Sequence, residues 1–202
     1  MHKNPIVTNA GISGPKAAPS SPDANSLQRT LWDSESVADW SSVLTTDVTS
    51  IYFTTLAFLP LLQASSEQPH GPHPSRSASV IVISSMSGLM RNSQGHFSYN
   101  AAKGAAVHLS KMMSSEFEKL KVRVNSIAPG YFPSEMTMGE SDESNKTELP
   151  KEKVQDKGHV PAERGGSDEE MAMAVLFLCR NTYVNGEVVA VDGGVMNMVP
   201  GS

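Results

Sequence analysis

The sequence of 202 residues has one cysteine, no cluster of basic residues and no long apolar run. The lone cysteine, Cys179, excludes an intrachain disulfide and favours a reducing compartment, so we expect a cytoplasmic protein. A net charge of −5 without a basic block argues against a nucleic-acid partner. Because no run suits a signal peptide or a membrane-spanning helix, we also expect no membrane partner.

A cluster of metal ligands is missing as well. His70 and His73 lie in a linker rich in serine and proline, residues 65–77, and no further ligands accompany them. A flexible turn accounts for this pair, so the sequence predicts no metal site. Cys179 lies in an apolar helical pattern, where we expect it to pack in the core rather than act as a nucleophile.

Short apolar runs alternate with helical patterns along the rest of the chain. The predicted strands are 6–8, 80–84, 122–128 and 188–191, and the predicted helices are 37–62, 98–120 and one that opens at 167–170. This alternation predicts an α/β fold with a parallel sheet.

The first helix is expected to begin near Asp33 or Ser34, since either is a good N-cap, and Pro60 is expected to end or kink it. The stretches 12–32 and 135–165 are predicted to be loops, the second a mobile flap over a site.

Small and polar residues follow each predicted strand. They are Asn9, Ala10 and Gly11, then Ser84 and Ser85, then Pro129 and Gly130, and finally Asp192, Gly193 and Gly194. Ligands of parallel sheets bind beyond the carboxyl ends of the strands, so these residues are expected to meet at one rim.

Tyr99 and Lys103 are four residues apart on a predicted helix that is entered from the same rim, and they therefore share one face. A nearby ammonium favours the phenolate and lowers the pKa of a phenol from about 10. Ser85 is placed to hold a substrate oxygen while Tyr99 transfers a proton, which suits carbonyl–alcohol interconversion. Taken alone, the Tyr-x-x-x-Lys pair is a weak motif that also fits a half-buried helix residue and an ordinary surface charge.

As a set, these motifs resemble those of the short-chain dehydrogenases/reductases. The resemblance runs from Asn9 to Gly194 and includes Ser-x-x-Gly at Ser85, Tyr-x-x-x-Lys at Tyr99, and Pro129 with Gly130. Residues 127–137 are most similar to the branch of the rhamnolipid-pathway 3-oxoacyl reductases. The resemblance implies a Rossmann-like doubly wound parallel sheet, NADP or NAD as cofactor, and a small carbonyl or alcohol substrate.

The resemblance also implies a role for each matching residue. Tyr99 would be the general acid/base, Ser85 would orient the substrate carbonyl, and Lys103 would hold the nicotinamide ribose while lowering the pKa of Tyr99. Besides Tyr99 and Lys103, the implied cofactor-binding residues are Asn9, Ala10, Gly11, Pro129, Gly130, Phe132 and Ser134. Ser134 stands where the family usually has threonine.

Asp47 departs from the family's pattern. It occupies the position in the helix before the serine strand where the family has a catalytic asparagine. A carboxylate cannot donate a hydrogen bond as an amide does, and it adds a negative charge near Lys103. Two alternatives stay open: a catalytic position with an altered proton relay, or a surface residue on a helix of different register.

The Gly-rich turn of dinucleotide-binding folds is missing from the sequence. Before residue 71 the only glycines are Gly11 and Gly14, whereas pyrophosphate binding needs the backbone N–H groups of a glycine-rich turn. We therefore expect a truncated fold of about four strands, a single partial domain over 1–202 without the family's N-terminal third. Its open edge strand predicts a chain that is marginally stable or associates.

Two functions remain in view. The first is an NAD(P)-dependent oxidoreductase with a Ser-Tyr-Lys centre, although a chain without the pyrophosphate turn is expected to be a poor catalyst. The second is a catalytically inactive remnant or isoform that acts at most as an interaction module. In either case the family's dimerisation through the helix that carries Tyr99 implies a homodimer or tetramer.

Overall fold

The sheet of the protein is parallel throughout, as expected. A computed structural model describes residues 5–17, 19–67, 77–134, 136 and 149–199. Its four strands are β1 (Ile6–Thr8), β2 (Ala78–Ile83), β3 (Val122–Pro129) and β4 (Val188–Val191), in that order across the sheet. In the register, Val7 lies opposite Ile81, Ile81 opposite Asn125 and Ile127 opposite Val189. The Rossmann-like α/β fold is thereby confirmed.

Helices connect the strands and cover both faces of the sheet. They are α1 (Ala24–Ser34), α2 (Val37–Leu44), α3 (Ser50–Glu67), α4 (Phe97–Glu116), α5 (Lys151–Gln155), α6 (Asp168–Arg180) and α7 (Val195–Met198). A π-helical turn, Thr45–Thr49, joins α2 to α3. The long helix predicted over 98–120 is α4 followed by a 3-10 turn, Glu118–Leu120.

The core lies on the two faces of β2 and β3, whose β-branched residues are buried on both sides. On one face Val80 and Val124 pack with Ile51 of α3 and Met113 of α4. On the other face Ile81 and Ile127 pack with Leu178 of α6, and Cys179 lies against this second cluster. Cys179 is therefore a packing residue, as the sequence indicated.

Capping residues fix where two of the helices begin. Ser167 forms a capping box with Glu170 at the start of α6, as predicted. Ser36 forms a second capping box with Asp39 and starts α2, so the predicted start near Asp33 or Ser34 is wrong. Those two residues instead end α1.

One other local prediction is wrong, and of the two effects expected of Pro60, the end of the helix is ruled out. The loop expected over 12–32 contains most of α1, which begins because the Asp23 carboxylate accepts hydrogen bonds from the N–H groups of Asn25 and Ser26. Pro60 does not end its helix, because α3 continues to Glu67 with Pro60 inside it.

The helical stretch Val37–Glu67 is long and apolar enough to cross a membrane, judged by length and composition only. The sequence was expected to hold no such run. The stretch also contains the buried Asp47, and Ile51, Thr55 and Leu62 face the protein core. Length and composition are weak grounds for a membrane span, since core helices of soluble proteins meet the same criteria.

Parts of two predicted segments lie outside the described residues. His70 and His73 of the linker are among them, and so is most of the first half of the predicted flap. The described part of that flap includes α5, whose Val154 is buried against Val160 and Met86. This second half is thus packed on the loop that follows β2.

Candidate active site

The serine pair after β2 is anchored firmly to the neighbouring strand. The Ser84 hydroxyl donates to the carbonyl oxygen of Ile127 at 2.9 Å and lies 2.7 Å from the hydroxyl of Ser126. Ser85 then starts a 3-10 turn, Met86–Gly88, in which its Oγ accepts a hydrogen bond from the N–H of Ser87 at 3.1 Å. The Ser85 hydroxyl is therefore held at the carboxyl end of the central strand.

Gly88 brings this turn onto α4. A Cβ atom at Gly88 would lie 2.5 Å from the carbonyl carbon of Lys103 and 2.6 Å from the amide nitrogen of Gly104. Only glycine permits this approach, which explains why the Ser-x-x-Gly motif has glycine at position 88. The turn that carries Ser85 is seated on the helix that carries Tyr99 and Lys103.

Tyr99 and Lys103 meet Ser85 at this junction. The Ser85 side chain lies beside the Tyr99 side chain, close enough to affect the pKa of the phenol. The Nζ atom of Lys103 lies 5.5 Å from the centroid of the Tyr99 ring and donates to the carbonyl oxygen of Ile83 at 3.3 Å. A hydroxyl, a phenol and an ammonium are thus brought together at the rim of the sheet.

The pKa of Tyr99 is raised from its ordinary value of 10.0, opposite to the direction expected from the sequence. Burial is the largest cause, because it disfavours the charged phenolate. The Ser85 side chain acts in the other direction, whereas the negative charge of Asp47 raises the pKa further. Lys103, which was expected to lower this pKa, is not among the causes of the shift.

Asp47 faces the site and is not a surface residue, which settles one of the open alternatives. It lies in the π-helical turn between α2 and α3 and is fully buried. Its Oδ1 accepts a hydrogen bond from the N–H of Ile12 at 2.8 Å, and its Oδ2 lies 3.2 Å from the Nζ of Lys103. A π-turn of this kind is frequent at functional sites, since it turns one extra side chain inward.

The segment after β1 closes over this ion pair. A Cβ atom at Gly11 would lie 3.1 Å from the Nζ of Lys103 and 3.2 Å from the Oδ2 of Asp47. Asn9 and Ala10 precede it and are exposed at the same rim. The structure therefore places Gly11 at the centre of the site and its two neighbours at the edge.

The segment after β3 reaches the same rim from the other side. Gly130 lies against Asp192, where a Cβ atom would stand 2.6 Å from the Asp192 Cα, and the Phe132 ring lies against Gly166. A cavity of about 180 Å³ borders Phe132 and Gly166. Pockets for whole ligands usually exceed about 300 Å³, so this cavity can hold only part of one. Pro129 ends β3, and Ser134 follows Phe132 half-buried.

A chain of hydrogen bonds borders the site, and sequence reasoning did not find this chain. The amide of Gln94 donates to the Tyr131 hydroxyl at 3.1 Å, and that hydroxyl lies 3.0 Å from the Nε2 of His159. The Nδ1 of His159 donates to the carbonyl oxygen of Lys157 at 2.7 Å, which assigns the tautomer and makes Nε2 the acceptor. Tyr131 directly follows Gly130, and that position was the one available signal.

Metal-binding groups are not part of this rim. Among residues 5–17, 19–67, 77–134, 136 and 149–199, no group of three or more His, Cys, Asp or Glu side chains is arranged to hold a metal ion.

Known proteins share both the sequence and the fold. A family profile described as enoyl-(acyl carrier protein) reductase matches residues 6–196. A short-chain dehydrogenase/reductase of Diaporthe leptostromiformis is 35% identical over 205 residues, which cover 98% of this chain and 67% of the relative. The chain belongs to the short-chain dehydrogenase/reductase family.

Two further similarities come from Pseudomonas aeruginosa. Its rhamnolipids biosynthesis 3-oxoacyl-[acyl-carrier-protein] reductase is 32% identical over 193 residues, 94% of this chain and 64% of the relative. The solved RhlG/NADP active-site complex has a TM-score of 0.71 at 31% identity, covering 94% of this chain and 64% of that one. The resemblance found in the sequence is confirmed. This short-chain dehydrogenase/reductase spans about two thirds of the length of these relatives.

The residues of this short-chain dehydrogenase/reductase fit the nicotinamide end of a dinucleotide. The Lys103 ammonium has three donors, of which the Ile83 carbonyl takes one, so it retains donors for ribose hydroxyls. Gly11 keeps the backbone close to that ammonium. The pyrophosphate end is different, because the sequence holds no glycine-rich turn between a strand and a helix.

Proposed function

We propose that this chain carries the catalytic centre of an NAD(P)-dependent oxidoreductase that reduces a ketone or oxidises a secondary alcohol. One observation carries the proposal: the Ser85 hydroxyl lies beside the Tyr99 side chain, and the Lys103 ammonium lies 5.5 Å from the centroid of the Tyr99 ring. Such an arrangement lets one hydroxyl orient a carbonyl oxygen while a second exchanges a proton with it. Solved relatives that hold NADP support the choice of cofactor.

Each of the three residues has one task in the proposed reaction. Ser85 donates a hydrogen bond to the substrate carbonyl oxygen and orients it toward Tyr99. In reduction the Tyr99 phenol gives its proton to that oxygen, and in oxidation the phenolate removes the alcohol proton. Lys103 positions the nicotinamide ribose through its ammonium donors. A nicotinamide held there would supply or accept the hydride at the carbonyl carbon, which would balance the proton moved by Tyr99.

The proposed substrate is a ketone with an apolar chain, of which a 3-oxoacyl thioester is one example. The name of the Pseudomonas relative supports this class, since that protein is a 3-oxoacyl-[acyl-carrier-protein] reductase. The residues near Ser85 support it too, because the half-buried Met90, Tyr131 and Leu149 lie on the apolar cluster that contains Met86. Apolar side chains at the edge of a site favour an apolar part of a substrate.

One assay tests the proposed function. The 202-residue chain is given NADPH and a panel of 3-oxoacyl thioesters, and the loss of NADPH absorbance is followed. We expect turnover that falls by about 100-fold or more in Tyr99→Phe, because the proton donor is lost. Tyr183→Phe is the matched control, since Tyr183 is fully exposed and far along the chain from the site. Equal rates in all three proteins would refute the assignment of Tyr99.

A second candidate function rests on the exposed apolar surface of α3 and α4. Phe53 and Leu61 of α3 and Met112 of α4 are each more than half exposed. These exposed apolar side chains support an interaction module and a homodimer or tetramer formed through these helices. If calorimetry detects no NADPH binding while sedimentation still shows a dimer, the interaction module is the better description. Phe53→Asp should dissociate such a dimer.

A further inference from the structure

Asp47 and Lys103 form a buried ion pair beneath the proposed catalytic tyrosine. Their side chains are 0% and 5% exposed, and Oδ2 lies 3.2 Å from Nζ. This contact lacks the angles of a hydrogen bond, so it is a charge–charge contact. The other oxygen is held by the N–H of Ile12, which fixes the carboxylate in place. Because water is excluded, the two charges act strongly on each other and on their neighbours.

We propose that Asp47 tunes the proton donor of this site: its carboxylate, held against the Lys103 ammonium, offsets that positive charge beside the Tyr99 ring and keeps the Tyr99 phenol protonated to higher pH. An amide at this position would leave the ammonium uncompensated near the Tyr99 ring. The uncompensated cation would favour the phenolate, as an opposite charge within about 4–6 Å does. With aspartate at position 47, the Tyr99 phenol is therefore a weaker acid, which keeps its proton to higher pH, than it would be with asparagine there.

The groups around Tyr99 agree with this assignment. The loop after β2 contributes the Ser85 hydroxyl, α4 contributes Lys103, and the π-helical turn contributes Asp47. His96 also faces the ring at 6.4 Å, and burial lowers its pKa, so near neutral pH it brings little positive charge. The negative charge of Asp47 itself raises the pKa of Tyr99. Lys103 is thus the cation of this group whose charge Asp47 compensates.

The consequence for the reaction rests on the proposed function. A phenol that keeps its proton to higher pH is suited to reduction, in which it donates. Oxidation needs the phenolate, so its rate should rise only at more alkaline pH than in a protein with asparagine at this position. The ionisation of Tyr99 itself can be measured without cofactor or turnover.

The experiment is a charge cycle on the 202-residue chain. Tyr99 is replaced by fluorotyrosine, which ionises at lower pH and gives a fluorine NMR signal that reports its own titration. Four backgrounds are compared: the native pair, Asp47→Asn, Lys103→Met and the double substitution. Relative to the native pair, we expect the pKa at position 99 to fall in Asp47→Asn and to rise in Lys103→Met, each by about one unit or more. The double variant should return close to the native value.

The outcomes separate this inference from the proposed function. Equal pKa values in the native chain and Asp47→Asn would overturn the inference, whether or not the chain reduces ketones. If Asp47→Asn does not fold, the native chain, Lys103→Met and the double variant, which holds no charge at either position, are compared. A pKa that is higher in Lys103→Met than in both the native chain and the double variant supports the inference, and equal values in the three proteins overturn it. Asp39→Asn, which removes an exposed carboxylate from α2, is the control and should leave the pKa at position 99 unchanged.

Discussion

Gly88 rests directly on the backbone of Lys103, at a distance that leaves no room for a side chain. This contact joins the turn that carries Ser85 to the helix that carries Tyr99 and Lys103. The relative position of the three proposed catalytic groups is therefore set by backbone packing, and long flexible side chains have little part in it.

Gly88→Ala tests this contact. A Cβ atom there would stand 2.5 Å from the Lys103 carbonyl carbon, so the turn must move away from α4. We expect a loss of about 1–3 kcal/mol in the free energy of unfolding. Turnover should fall by about 100-fold, because catalysis depends steeply on the position of the reacting groups.

Gly104→Ala is the matched control for that substitution. Its Cβ atom would lie 3.3 Å from the Gly88 carbonyl oxygen, a tight contact that a small shift relieves. It should therefore cost clearly less in both stability and turnover. If the two substitutions have equal effects, the junction is not what positions Ser85.

Arg123 is expected to be essential for the attachment of α6 and the loop that follows it to β3. Its guanidinium is buried and donates to four backbone carbonyls at the end of α6 and in the loop that follows, those of Leu178, Cys179, Asn181 and Val184. Arg123→Met should lower the free energy of unfolding by about 2–4 kcal/mol in urea denaturation, since the carbonyl oxygens of Leu178 and Cys179 lose the donor that Arg123 supplies. Arg180→Met, on the exposed surface of α6, should stay within about 0.5 kcal/mol of the native chain.

The buried pair of Asp47 and Lys103 makes a second prediction about stability. Asp47→Ala leaves the ammonium buried without a counter-ion and the N–H of Ile12 without an acceptor. We expect a loss of about 3–5 kcal/mol. The double substitution Asp47→Ala and Lys103→Met should lose less than the single one, because no charge stays buried alone. A loss below about 1 kcal/mol in Asp47→Ala would show that the pair is not buried as described.

The Arg164–Glu170 pair should give a pH-dependent contribution in acid. Two hydrogen bonds from Arg164, at 2.6 and 2.8 Å, lower the pKa of Glu170 from 4.5 to about 2. Because the folded value is the lower one, the contribution is complete above pH 4.5 and is lost as the pH falls toward 2.

Thermal unfolding followed by circular dichroism measures this effect. The Tm difference between the native chain and Glu170→Gln should be constant near neutral pH and should shrink between pH 4.5 and about 2. Added salt should reduce it, since both side chains are partly exposed. The same comparison in an Arg164→Met background, which lacks the pair, is the control and should show no such window. A Tm difference for Glu170→Gln that does not change with pH would contradict the assignment.

The strands and the position of the site could be predicted from the sequence, because each depends on a local pattern of residues. Runs of β-branched residues such as Val80 to Ile83 are typical of a strand buried on both faces, and strand ends of a parallel sheet must share one rim. The spacing of Tyr99 and Lys103 fixes them on one helix face whatever the surroundings.

The features that sequence reasoning missed depend on contacts between distant segments. The direction of the Tyr99 pKa follows from burial and from Asp47, and the position of Asp47 depends on a π-helical turn that shifts the helix register. The network of Gln94, Tyr131 and His159 joins three loops whose approach no local pattern encodes. The start of α1 was missed because a single cap, Asp23, outweighs a composition typical of loops.

The most direct test of the account is to follow the transferred hydrogen itself. The 202-residue chain is incubated with a 3-oxoacyl thioester and NADPH that carries deuterium at the transferring position, and the alcohol product is analysed by mass spectrometry. The account predicts deuterium on the carbinol carbon, with at least about 100-fold less in Tyr99→Phe. Deuterium transfer that is undiminished in Tyr99→Phe, or absent from the native chain, would contradict it.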